Sequence, residues 1–111
     1  MGKRFSVAKL ITAPAGASGE EVIYVVEAAK RFRINSVRID WASGSDFNLH
    51  VRICIGLLQI APGEGFYAAA SGHTEDRVEA VAESGERIIA HYMNFGTSDL
   101  KFHVIIRGIL E

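Results

Sequence analysis

The side chains of this chain best suited to chemistry are four histidines, His50, His73, His91 and His103, and one cysteine, Cys54. Imidazole is both the commonest metal ligand and the usual general base near neutral pH. The four are separated by 23, 18 and 12 positions, however, and there is no second cysteine. Zinc sites are generally built on ligand pairs a few residues apart, so no metal is expected. Cys54 lies inside an alternating apolar run, away from the loops and helix starts that favour a thiolate, and it reads as a small packed hydrophobe. No Gly-x-Ser-x-Gly motif marks a nucleophile, and Gly63-Glu-Gly65 lacks the spacing of a phosphate-cradling loop. An acid–base pair drawn from His91 or His103 with Asp99 is the remaining route to a small hydrolase or isomerase, and no motif supports it. The chain therefore reads as a non-enzymatic protein without a cofactor.

Two binding chemistries have residues of the right type. Lys30, Arg31, Arg33, Arg38 and Arg52, with Phe32 interleaved, form the only basic concentration and could follow a phosphate backbone. Glu27 and Asp40 flank it, and 12 basic against 13 acidic side chains leave a formal charge of -1. That balance supplies no bulk field for nucleic acid. A glycan instead needs an aromatic platform beside planar polar groups. Trp41, Tyr67 and Tyr92 with Asp46, Asn48, Asn94 and Asp99 supply those types, and Trp41, Asp46 and Asn48 are the candidate ligand-binding set. The same alternation that places Trp41 beside Ile39 and Phe47 gives its ring a competing role in the core. Calcium binding lacks a dense loop of oxygen ligands.

The elements that would position these groups follow from the pattern of apolar residues. At 111 residues, 49% hydrophobic and with only 2 prolines, the chain is expected to fold as one domain over residues 1–111. Period-two alternation marks a strand from Phe47 to Leu57 and another through Val37, Ile39 and Trp41. With Ala42-Ser-Gly-Ser-Asp46 between them, these are expected to pair as a hairpin, Trp41 opposite Phe47 and Val37 opposite Val51. A second hairpin is expected from Ile88, Ala90 and Tyr92 with Leu100, Phe102, Val104 and Ile106, which would bring His91 and His103 close. Arg4 to Thr12 reads as a first strand and Gly65 to Ala70 as a weak one. The parity slip at Asn35-Ser36 predicts a bulge or a short turn. The stretches 20–31 and 75–84 have mixed helix and strand signals and are read as strands, because β-branched residues dominate the first. The expected fold is all-β, an antiparallel two-sheet β-sandwich of seven to eight strands.

The apolar content exceeds what one interior of this size holds. Ile89, Met93 and Ile105 fall on the polar parity of the C-terminal strands, Ile109 and Leu110 follow, and Cys54, Leu58 and Ile60 repeat the pattern. Such side chains meet another chain or a crossing loop, so Ile89, Met93, Ile105, Ile109 and Leu110 are the expected oligomer interface. Gly85-Glu-Arg-Ile-Ile, Tyr92-Met-Asn-Phe-Gly and Phe102-His-Val-Ile-Ile-Arg-Gly108 together resemble the closing strand pair of small jelly-roll modules of virus and phage structural proteins, and of some carbohydrate-binding modules. The resemblance covers about a quarter of the chain. It implies an eight-stranded jelly roll, a form that packs into rings, trimers and shells. The expected function is a structural, homo-oligomeric assembly module, a virion capsid, decoration or spike component. Its partners would be itself or other structural subunits, and the alternative is a lectin-like carbohydrate-binding module. No apolar run approaches the ~20 residues of a membrane span. No signal peptide is read in the first residues, so synthesis in the cytoplasm is expected.

Overall fold

The computed structural model describes residues 2–111. Eight strands account for the fold: β1 (Lys3–Ala13), β2 (Ser18–Val25), β3 (Phe32–Trp41), β4 (Leu49–Ile55), β5 (Leu58–Ala61), β6 (Gly72–Ala82), β7 (Arg87–Asn94) and β8 (Leu100–Leu110). They form two antiparallel four-stranded sheets, ordered β1-β8-β3-β6 and β2-β7-β4-β5. Every connection except β4–β5 crosses from one sheet to the other, which is the winding of an eight-stranded jelly roll. The all-β two-sheet sandwich is therefore what the alternation predicted; of the ambiguous stretches, 20–25 and 75–82 are strand, in β2 and β6, while 26–31 and 83–84 form turns.

Alternation assigns the faces correctly and the partners incorrectly. Ile34, Val37, Ile39 and Trp41 of β3 and Leu49, Val51, Ile53 and Ile55 of β4 are all buried in one cluster. The two strands face each other across that cluster from different sheets, and β3 bonds β6 and β8. The expected hairpin between them does not exist. Nor does the second one, because β7 pairs with β2 and β4 while β8 pairs with β1 and β3. A core-facing stripe looks the same in sequence whether its neighbour lies beside it or opposite it. The strand from Phe47 to Leu57 is also shorter than its pattern. Phe47 sits in a turn with φ of 61° and Leu57 lies in the β4–β5 turn, both exposed. The Gly65 to Ala70 segment contributes a single bridge, Tyr67 to Val51.

The expected irregularity at Asn35 is present: the register of β3 shifts between Ile34 and Ser36 against both neighbours. Gly108 of β8 lies opposite Ile34 there. A β-carbon at Gly108 would land on the Arg33 carbonyl oxygen, so the close approach of β8 to the bulged strand requires glycine.

Polar ties close the two open sides of the sandwich. On one side Lys9 Nζ donates to Glu21 Oε2 (3.1 Å) and to the Val22 carbonyl (3.2 Å), linking β1 to β2. On the other, the Tyr67 hydroxyl donates to Asp76 Oδ2 (2.8 Å), linking the segment after β5 to β6. At one end Asn94 is buried. Its amide nitrogen donates to the carbonyls of Ala13 and Ser98, both at 2.9 Å, while its oxygen accepts from the Gly96 N–H at 2.8 Å. Each tie satisfies groups that an all-apolar layer would leave unpaired.

Two outcomes test this account. Gly108→Ala should lower stability by about 2 kcal/mol or more in chemical denaturation, because backbone rather than a flexible side chain must yield. Gly63→Ala, where a β-carbon meets nothing, should stay within about 0.5 kcal/mol of the parent. Burial first, then the hydrogen bond and the charge of Asp76, pushes the Tyr67 phenol above its ordinary range. The unfolded phenol releases its proton near pH ~10 and the folded one later. Stability from this group is thus fully present below that pH and is lost as pH rises from there through the higher value of the folded phenol. Tyr67→Phe should cost about 1 kcal/mol at neutral pH through the lost bond and make the alkaline decline shallower.

Candidate functional site

Along β7 the pleat sends Ile88, Ala90 and Asn94 into the buried layer and Ile89, His91 and Met93 to the outer face. The registers with β2 and β4 extend each outward residue into a row across three strands. Val22, Ile89 and Cys54 form an apolar row. Glu20, His91 and Arg52 form a charged one. Ser18, Met93 and His50 form the third, beside which Phe66 stacks on His50 at 3.9 Å and 14° between planes, and Phe95 meets the same ring edge-on at 4.8 Å. A groove of about 470 Å3 lies over the second and third rows, with Phe66 on one side and Ser18-Gly19 on the other. Gly19 itself faces inward opposite Tyr92, where a β-carbon would stand 2.6 Å from the Tyr92 hydroxyl.

The electrostatics of the face are simple. Glu20 Oε2 lies 3.5 Å from His91 Nδ1. Arg52, exposed on the opposite strand of the row, enters no ion pair among the described residues. Cys54 is buried although it stands outside the core cluster. Burial raises its thiol pKa, with the charge of Arg52 opposing and that of Glu20 adding. A thiol so held is a poor nucleophile at neutral pH. Among the described residues no group of three His, Cys, Asp or Glu has the geometry to hold a metal ion. The face presents an anion and a cation on the strands either side of β7, with exposed apolar groups beside them.

The residues singled out from the sequence are dispersed. Ile89 and Met93 lie on the outer face of the β7 sheet, whereas Ile105 and Ile109 take the outward parity of β8 on the opposite sheet. Leu110 shares the inward parity and packs against the core. They cannot form one contiguous patch. His91 and His103 likewise occupy different sheets rather than one hairpin. Asp99 accepts a hydrogen bond from the Ala15 N–H at 2.9 Å, fixing a turn. Trp41 is 6% exposed and its indole N–H donates to Thr74 Oγ1 at 2.9 Å, so it fills the core and offers no platform. Asp46 and Asn48 lie in the loop between β3 and β4. In the basic cluster, Arg31 pairs with Glu83 (2.8 Å), Arg33 with Glu111 (3.0 Å) and Arg38 with Asp40 (2.8 Å), while Arg52 is on the other sheet. No continuous basic patch results. Phe66 and Phe95 were missed. Their signal is their setting, an aromatic next to glycine in a turn, which has no pleat to carry it inward.

No protein-family model matches the sequence, and neither does any curated protein. Solved structures do. A chain of the acid-stable capsid of Helicobacter pylori bacteriophage KHP30 aligns with a TM-score of 0.61 at 13% identity, over 98% of this chain and 93% of that one. A chain of the cyanophage Pam1 capsid gives 0.57 at 10% identity, over 97% and 85%. The crystal structure of FLHE gives 0.54 at 13% identity, over 96% of both. At such identities the likeness is one of fold, and it bears out the architectural resemblance to phage structural modules. Among the described residues no helix is long and apolar enough to cross a membrane.

The burial of Trp41 has a direct readout. Its emission should be blue-shifted, resist quenching by acrylamide and stay unchanged on adding saccharides; a red-shifted, saccharide-sensitive spectrum would contradict its place in the core.

Proposed function

We propose that this chain is a non-enzymatic structural subunit that associates with copies of itself, or with other structural subunits, in a virion capsid, decoration layer or spike. The observation that supports this most is the nearly end-to-end match to chains of two phage capsids, each hardly longer than this one. A stand-alone sandwich of this size is thus a form used within such shells.

The surface chemistry agrees with that reading. Met93 is 42% exposed and Phe66 54% on one outer face; Leu10 is 62% and Ile109 36% exposed on the other. The five interface residues expected from the sequence become two candidate contact faces, one carrying Ile89 and Met93 and the other Ile105 and Ile109, with Leu110 at the core margin. A subunit carrying apolar groups on both faces can be held between neighbours, as lateral packing in a shell requires. A carbohydrate-binding role is the second reading. It keeps Asp46 and Asn48, flanked by exposed Phe47 and Phe95, and loses Trp41.

Sedimentation velocity and native mass spectrometry at tens of micromolar test the proposal. An oligomer is expected, and Met93→Asp or Ile105→Asp should lower its mass according to which face is in contact. A monomer at that concentration would sink the self-association reading and direct attention to saccharide titration.

A further inference from the structure

Resting on the self-association reading, we propose that two copies pack the outer faces of their β2-β7-β4-β5 sheets together about a twofold axis running along β7. The argument starts from the charged row. Glu20 and Arg52 stand on either side of β7, opposite His91 in both registers. Two strand spacings separate their backbones by roughly 9–10 Å; Glu20 is turned to His91, and no ion pair joins it to Arg52. Arg52 has no carboxylate partner among the described residues, although it lies at the centre of a sheet face beside exposed apolar groups.

Two sheet faces brought together about a twofold have the axis in the plane between them. An axis along β7 exchanges the two sides of the row, so Glu20 of each copy meets Arg52 of the other and two ion pairs form. An axis across the strands instead sets Glu20 against Glu20 and Arg52 against Arg52. Charge alone therefore selects the first arrangement.

Shape independently selects the same one. Met93 and His50 belong to the row that ends in Ser18, and Phe66 rises from this row by stacking on His50. The axis along β7 carries Phe66 of one copy over Ser18 of the other, a projecting ring against a small side chain of the face. Met93 meets its own copy at the axis, where a flexible thioether adapts to a symmetric contact. On the opposite sheet the outward Arg38 and Arg107 already have partners, Asp40 at 2.8 Å and Glu75 at 3.8 Å.

Charge reversal tests the arrangement in the full chain. Glu20→Arg and Arg52→Glu each place like charges opposite one another twice. Each should raise the dimer dissociation constant roughly tenfold or more, while circular dichroism and the thermal midpoint of the exposed-site variants stay close to the parent. The double variant E20R/R52E restores both pairs and should return the constant close to the parental value. Lys101→Glu, on an exposed site of the other sheet, should leave it unchanged. Single variants that keep the parental mass while Ile105→Asp lowers it would overturn the twofold and leave the structural-subunit reading standing. A double variant that fails to recover would also overturn the twofold. A monomeric parent would overturn both the twofold and the self-association reading on which it rests.

Discussion

A pleated strand offers its side chains only two directions, and in this molecule two sheets share a single apolar layer that takes one direction from every strand. Everything else on the surface follows from that commitment. Once Ile88 and Ala90 are drawn into the layer, Ile89 and His91 have to stand outside, and the strands on either side of β7 are bound by the same rule. The three rows of the candidate site are the outward remainder of a core that is already complete. This is why a charged row can sit directly against an apolar one without either being out of place.

The layer sets the faces, and a few polar contacts hold them in position. Lys9 with Glu21 and Tyr67 with Asp76 tie the sheets together at their two open sides. They do so where exposed strand edges would otherwise invite pairing with another chain. Asn94 joins the end of β1, the start of β8 and the turn after β7 through one buried amide. That junction lies next to Phe95 and so fixes one side of the aromatic group around His50. The groove therefore rests on elements that are rigid for reasons unrelated to any ligand, the condition for a precise contact surface.

The excess of apolar residues divides into two parts with different explanations. Cys54 is buried within the chain itself although it points away from the core, and Leu110 belongs to the core margin. Met93, Phe66, Ile109 and Leu10 stay exposed on two separate faces. Chains of two phage capsids share this fold, and under the proposed function lateral contacts between sandwiches cover these residues.

By itself the sequence determined the class of fold and the inward residues of β3, β4, β7 and β8. Alternation is a local property, imposed by the pleat two residues at a time, and it survives whatever the strand pairs with. It also located an irregularity at Asn35-Ser36, a bulge or a short turn by parity alone, and the registers of β3 made it a bulge. What it did not contain was adjacency. β3 and β4, like β7 and β8, present the same stripes whether they are hydrogen-bonded neighbours or opposite walls of the core, and only the tertiary winding chose the second. That choice parted His91 from His103 and split Ile89 and Met93 from Ile105 and Ile109. It also aligned Glu20, His91 and Arg52, whose neighbourhood depends on registers between strands distant in the chain.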